Sequence, residues 1–151
     1  MNASLEKTLH QVPIFAGLND EAVACLANLA REEQFPRDTV IIGEGELGNR
    51  IYLIGAGHAT VVKGYGGPGP VELARFGPGE CFGEMSLIES AARSASVVSE
   101  DEVTAYTLKG ADFHRLYKEM PAQYGIVMLN IARVLTRRLR ALDEKLWQAS
   151  R

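Results

Sequence analysis

Apolar positions along the chain follow three rhythms in succession. Over residues 2–11 Leu5 and Leu9, with Val12 just beyond, fall on one side of a short amphipathic helix that Asn2 or Ser4 could cap. Pro13 breaks that pattern, since it cannot continue a helix. A second helix opens at Asn19 or Asp20 and runs to about residue 31, with Val23, Leu26, Ala27 and Ala30 as its buried stripe. From Gln34 to Leu108 the period becomes short and extended, with strands predicted over 40–42, 51–54, 59–63, 71–75, 95–99 and 103–108. The helical period then returns. Gly110-Ala111-Asp112 starts one helix, with Asp112 near its cap and Phe113, Leu116 and Tyr117 as its apolar face. Met120-Pro121 breaks it, and a longer helix over 122–148 carries Met128, Ile131, Leu135, Leu139, Leu142 and Leu146 in steps of three and four.

Turn chemistry at close intervals separates the strands, which predicts a small all-β barrel or sandwich flanked by helices. The turns are 43–49, 55–57, the glycine-rich 64–70 and 76–80. The glycine-rich segment reads as a plain hairpin loop: no G-K-[S/T] follows it and no helix opens after it.

The chain has 151 residues, enough for one domain with a real core, and its 46% apolar and 23% charged content is that of an ordinary globular protein. A net charge of −3 makes no demand for a nucleic-acid partner. Two cysteines give neither a disulfide framework nor a metal cluster; Cys25 is expected in the core of an early helix and Cys81 as a small buried apolar group. No apolar run approaches a membrane span and the start lacks a signal-peptide pattern, so a cytoplasmic location is the default expectation.

The chemistry concentrates in Phe82-Gly83-Glu84-Met85-Ser86-Leu87 and Ala92-Arg93-Ser94-Ala95-Ser96. Gly83 lets backbone amides approach a ligand closely. A helical turn over 85–89 would present free N–H groups to an anion. Arg93 brings a fork of donors that matches phosphate oxygens, and Ser94 adds a hydroxyl. Glu84 would repel a phosphate, so its task is to accept from a sugar hydroxyl.

That string resembles the phosphate-binding cassette of cyclic nucleotide-binding domains, with Phe82, Gly83, Glu84, Met85, Ser86, Leu87, Arg93, Ser94 and Ala95 matching the family pattern. Two further stretches are similar to that family: Pro13-Ile14-Phe15 leading into the second helix, and the 43–49 turn leading into Tyr52-Leu53-Ile54. The resemblance implies a mainly β protein, a β-roll of the jelly-roll barrel kind with N-terminal helices and a C-terminal helical lid. Its parts would be an N-terminal helical segment over 1–33, the β-roll over 34–109 and C-terminal helices over 110–151. It implies that Glu84 takes the ribose 2′-hydroxyl and Arg93 an exocyclic phosphate oxygen. Amides around Gly83, Glu84 and Ala95 and the Ser94 hydroxyl would complete the shell. It further implies a C-terminal helix that closes over the ligand, with the base covered by Arg133, Arg137 or Tyr124, and with Arg138 and Trp147 as further choices.

The expected protein is therefore a regulatory sensor, not an enzyme, with cyclic AMP preferred over cyclic GMP and no metal or cofactor. His10, His58 and His114 are scattered and lack metal-site spacing. The long helix suits a homodimer or an effector surface. DNA binding is not expected, because no room follows for a helix-turn-helix. The alternatives are an interaction module that has lost its ligand, or a regulatory fragment of a larger channel, enzyme or transcription regulator.

Overall fold

Strand β3 (Arg50–Ala56) is buried along most of its length on both faces, and the fold divides around it. In the computed structural model, which describes residues 3–89 and 91–151, Ile51 and Leu53 point to one side and Tyr52 and Ile54 to the other. The period of two sends alternate side chains to opposite faces, so an unbroken apolar run needs a core on each. The first core holds the helices: α1 (Ala3–Gln11), the 3₁₀ turn Pro13–Phe15, α2 (Asp20–Leu29), α3 (Gly110–Glu119) and α4 (Pro121–Ala149). The second is the inside of the roll, formed by Ile42, Tyr52, Ile54, Ala59, Phe82, Val97, Val103 and Ala105.

Eight strands form two four-stranded antiparallel sheets. Besides β3 they are β1 (Arg31–Phe35), β2 (Val40–Ile42), β4 (Ala59–Lys63), β5 (Val71–Phe76), β6 (Cys81–Phe82), β7 (Ser96–Ser99) and β8 (Val103–Lys109). One sheet runs β1-β8-β3-β6 and the other β2-β7-β4-β5. This is the β-roll expected, with helices at both chain ends. Two strands went unpredicted. Residue 31 opens β1 and does not end α2, which stops at Leu29; β6 is a two-residue pairing with β3.

Caps of α2 and α3 follow the sequence, whereas Ser4, one choice for capping α1, lies inside that helix. The Asn19 side chain accepts from Ala22 N at 2.8 Å, and Asp112 sits in the first turn of α3, accepting from Lys109 N at 2.7 Å. The expected Asn2 cap lies outside the described residues. Tyr117 is about half exposed and leaves the α3 face to Phe113 and Leu116. Cys25 is half-buried, not core, and its thiol meets Glu119 Oε2 at 3.8 Å. Burial pushes the Cys81 thiol far above its ordinary range, with Glu84 adding to the effect.

The last helix is anchored at its root. Asn130, 5% exposed, donates from Nδ2 to the carbonyls of Ile14 at 3.1 Å and Ala16 at 2.8 Å, beside buried Val127 and Ile131. Beyond that anchor α4 runs out into solvent: Leu139, Leu142 and Leu146 are 60%, 60% and 69% exposed.

Candidate functional site

Phe82 fixes the start of the cassette. Its ring stacks on Tyr52 at 5.1 Å and on Phe76 at 5.6 Å between centroids, and it is 3% exposed inside the roll. It is therefore a wall of the core from which the next residues depart. Gly83 turns the chain with φ of 88°, a left-handed angle that side chains disfavour. A Cβ there would lie 2.7 Å from the Arg50 carbonyl and 3.2 Å from Arg93 Nη1. Gly83 thus supplies both the angle and the room that let the cassette pass under Arg93.

A single 3₁₀ turn, Glu84–Leu87, follows Gly83. It starts one residue earlier than the helical turn expected from sequence. Ser86 Oγ donates back to the Gly83 carbonyl at 2.7 Å, which ties that hydroxyl to the backbone. Met85 is 61% exposed.

Arg93 lies across the departure point. Its Nη2 donates to the Arg50 carbonyl at 3.0 Å and its Nη1 to the Gly83 carbonyl at 3.4 Å. Its backbone is tied to the 43–49 turn in both directions: Arg93 N donates to Glu46 O, and Gly45 N donates to Arg93 O, each at 2.8 Å. Gly48 is close beneath the guanidinium; a Cβ there would stand 2.3 Å from Nε and Nη2. The cleft around this arginine is polar, about 180 Å³, and is lined by Glu46, Gly48, Asn49, Arg50, Tyr52 and Arg93 among others.

Glu84 is 2% exposed, and Arg138 of α4 places Nη1 2.6 Å from its Oε1. The buried carboxylate is thus charge-paired to the last helix, as a carboxylate withdrawn from water must be.

The structure brings Phe82, Gly83, Glu84, Met85, Ser86, Arg93, Ser94 and Ala95 into one neighbourhood, with Ala95 buried and Ser94 exposed. It does not bring the three favoured base-covering residues onto the cassette acid. Arg133 Nη1 meets Asn130 Oδ1 at 3.4 Å, and Arg137 is exposed. Tyr124 packs edge-on against Tyr117 and faces a separate cleft of about 350 Å³ shared with Ser86, Leu87, Phe113 and Met128. Trp147 stacks under Arg151 near the chain end. Arg138, another candidate for covering the base, reaches Glu84. The histidines stay apart: His10 approaches Asp20, His58 is bound to Asp101, and His114 stacks on Tyr117.

The fold is a β-roll carrying a glycine-led turn, a buried acid and an arginine tied to the facing loop. The chain belongs to the cyclic nucleotide-binding domain family, whose sequence model matches residues 32–120. It is 34% identical over 134 residues to the cyclic AMP receptor protein of Thermus thermophilus, covering 89% of this chain and 60% of that one. It is 37% identical over 111 residues to the regulatory subunit of cAMP-dependent protein kinase from Pyricularia oryzae, covering 74% of this chain and 28% of the subunit. A crystal structure of a cyclic nucleotide-binding domain from Methylobacillus flagellatus superposes with a TM-score of 0.80 at 27% identity, over 93% of this chain and 79% of that one. The chain thus spans less than two-thirds of these two sequence relatives. No helix among the described residues is long and apolar enough to cross a membrane.

Proposed function

We propose that this chain is a noncatalytic cyclic-nucleotide sensor that prefers cyclic AMP and reports binding through α4. The observation that carries the reading is the buried Glu84 carboxylate, one residue beyond the Gly83 carbonyl that Arg93 holds. A ribose hydroxyl would donate to that acid, which also pairs with the last helix through Arg138. Arg93 takes the cyclic phosphate by exchanging its two backbone carbonyls for phosphate oxygens, which are stronger, charged acceptors. A ribose hydroxyl taken by Glu84 shares that carboxylate with Arg138, which couples the cassette to α4. Ligand can favour a new position of α4 only through contacts it makes better there. The shared carboxylate is such a contact.

The test is thermal unfolding of the intact chain with cyclic AMP, cyclic GMP, linear AMP and 2′-deoxy cyclic AMP. A ligand at a hundred times its dissociation constant adds about 2.7 kcal/mol, which for a chain of this size raises Tm by about 5–10 °C. The expected order places cyclic AMP first, and the 2′-deoxy compound loses its disadvantage in Glu84→Ala. Equal shifts for cyclic and linear AMP would remove the cassette reading. An unchanged ribo-to-deoxy ratio in Glu84→Ala would remove the role given to that acid.

The exposed run Leu139, Leu142 and Leu146 continues the alternating three- and four-residue spacing of a coiled-coil seam. We assign it to a second copy of α4 packed alongside. Sedimentation at micromolar concentration should show a dimer, and Leu139→Glu with Leu146→Glu should return a monomer. A wild-type chain that stays monomeric under those conditions ends the assignment.

A further inference from the structure

We propose that Lys63, outside the cassette, is a positioning residue that aims a phosphate-binding amide; this deepens the cyclic-nucleotide reading and rests on it. Lys63 ends β4, and its Nζ donates to the Ser94 carbonyl at 2.7 Å. The same ammonium pairs with Glu44 Oε2 at 3.2 Å. Glu44 in turn accepts from Gly64 N through Oε1 at 2.9 Å, and its own backbone N–H donates to Ser96 Oγ at 3.0 Å. One ammonium and one carboxylate thus tie together the 43–49 turn, the start of the glycine-rich loop and the segment just after Arg93.

The consequence follows from the geometry of a trans peptide. The carbonyl of Ser94 and the N–H of Ala95 belong to the same planar unit and point in opposite directions. Drawing the carbonyl towards Lys63 therefore points the Ala95 N–H in the opposite direction within that plane, away from the ammonium. The preceding carbonyl, that of Arg93, is fixed by Gly45 N at 2.8 Å. Two successive carbonyls held from outside leave the segment before β7 little freedom to rotate, and Ala95 is itself buried. An ammonium on the carbonyl also polarises the amide and makes its N–H a stronger donor. Lys63 therefore acts on the anion through the backbone, while Arg93 acts on it directly. The glycine-rich loop acquires a function as well: it starts at the residue whose amide holds Glu44 in place for Lys63.

The experiment combines calorimetry with cyclic AMP and amide NMR of the intact chain, using Lys63→Met, Lys63→Arg and Glu44→Gln. Lys63→Met keeps the aliphatic stem and loses the ammonium. It is expected to weaken cyclic AMP about tenfold, within the range of one hydrogen bond to a charged group. Lys63→Arg should recover to within about twofold, since a guanidinium donates to the same carbonyl, and Glu44→Gln should lie between them. In the protein without nucleotide, the Ala95 amide resonance should already move in Lys63→Met, which a direct lysine–phosphate contact would not produce. Wild-type affinity in Lys63→Met, or an unmoved Ala95 amide, overturns the inference and leaves the sensor reading standing. Wild-type protein that binds no cyclic nucleotide overturns both. A folded Glu44→Gln keeps the question decidable if Lys63→Met fails to fold.

Discussion

Replacing Arg93 with alanine is expected to weaken cyclic AMP binding by about 2–5 kcal/mol, or about thirtyfold to several thousandfold. The size follows from what remains when the fork goes. The phosphate keeps amides and a hydroxyl but loses the Arg93 guanidinium. Stability should change little, because Arg93 is only half-buried and gives up two hydrogen bonds to carbonyls that water can reach in its place. Lysine at this position should recover part of the affinity only, since a point charge cannot bridge two oxygens in a plane. Gly48→Ala offers an independent route to the same loss, because its methyl group would occupy the space of the guanidinium while touching only the movable end of a side chain. Calorimetry decides: near wild-type affinity in Arg93→Ala removes that residue from the site.

Phe82→Ala is expected to produce the largest change in stability, about 3–5 kcal/mol, seen as a fall in Tm of about 6–20 °C. Phe82 joins Tyr52 and Phe76 in one stack, and Tyr52 also meets Phe35 edge-on at 6.5 Å. Removing the middle ring leaves a void lined by two others that cannot close on each other without moving β3 or β5. Phe82→Leu should keep most of the stability. Since Gly83 follows directly, the alanine variant should also bind nucleotide more weakly at temperatures where it is still folded. A fall in Tm of less than about 3 °C would show that the stack contributes little.

The parts of this fold that were legible in the sequence are those fixed by neighbours in the chain. The cassette is one: angle, acid, turn and arginine lie within fourteen residues, Phe82 to Ala95. Strand β1 was not legible because Arg31-Glu32-Glu33-Gln34-Phe35 lacks an apolar alternation; it is a strand because its backbone pairs with β8, residue by residue from Arg31 opposite Thr107 to Phe35 opposite Val103. The partner of Glu84 was hidden for a similar reason. Arg137 and Arg138 are adjacent in sequence but stand about 100° apart around the helix, so which one meets a distant acid depends on how α4 is rotated. That rotation is set by the side chains packing its root, chiefly Val127, Asn130 and Ile131. Lys63 carried no signal at all, since its task is done through a main-chain atom.

Asn130 Nδ2 holds the carbonyls of both Ile14 and Ala16, so the opening residues are tied to the last helix. Any turn or slide of α4 would tow the Pro13–Phe15 turn with it, and α1 through the core they share. A dye on the outward side of α1 would therefore test for such motion from more than a hundred positions upstream. Trimming the protein to its roll and final helix would cut the tether that gives that helix its pivot.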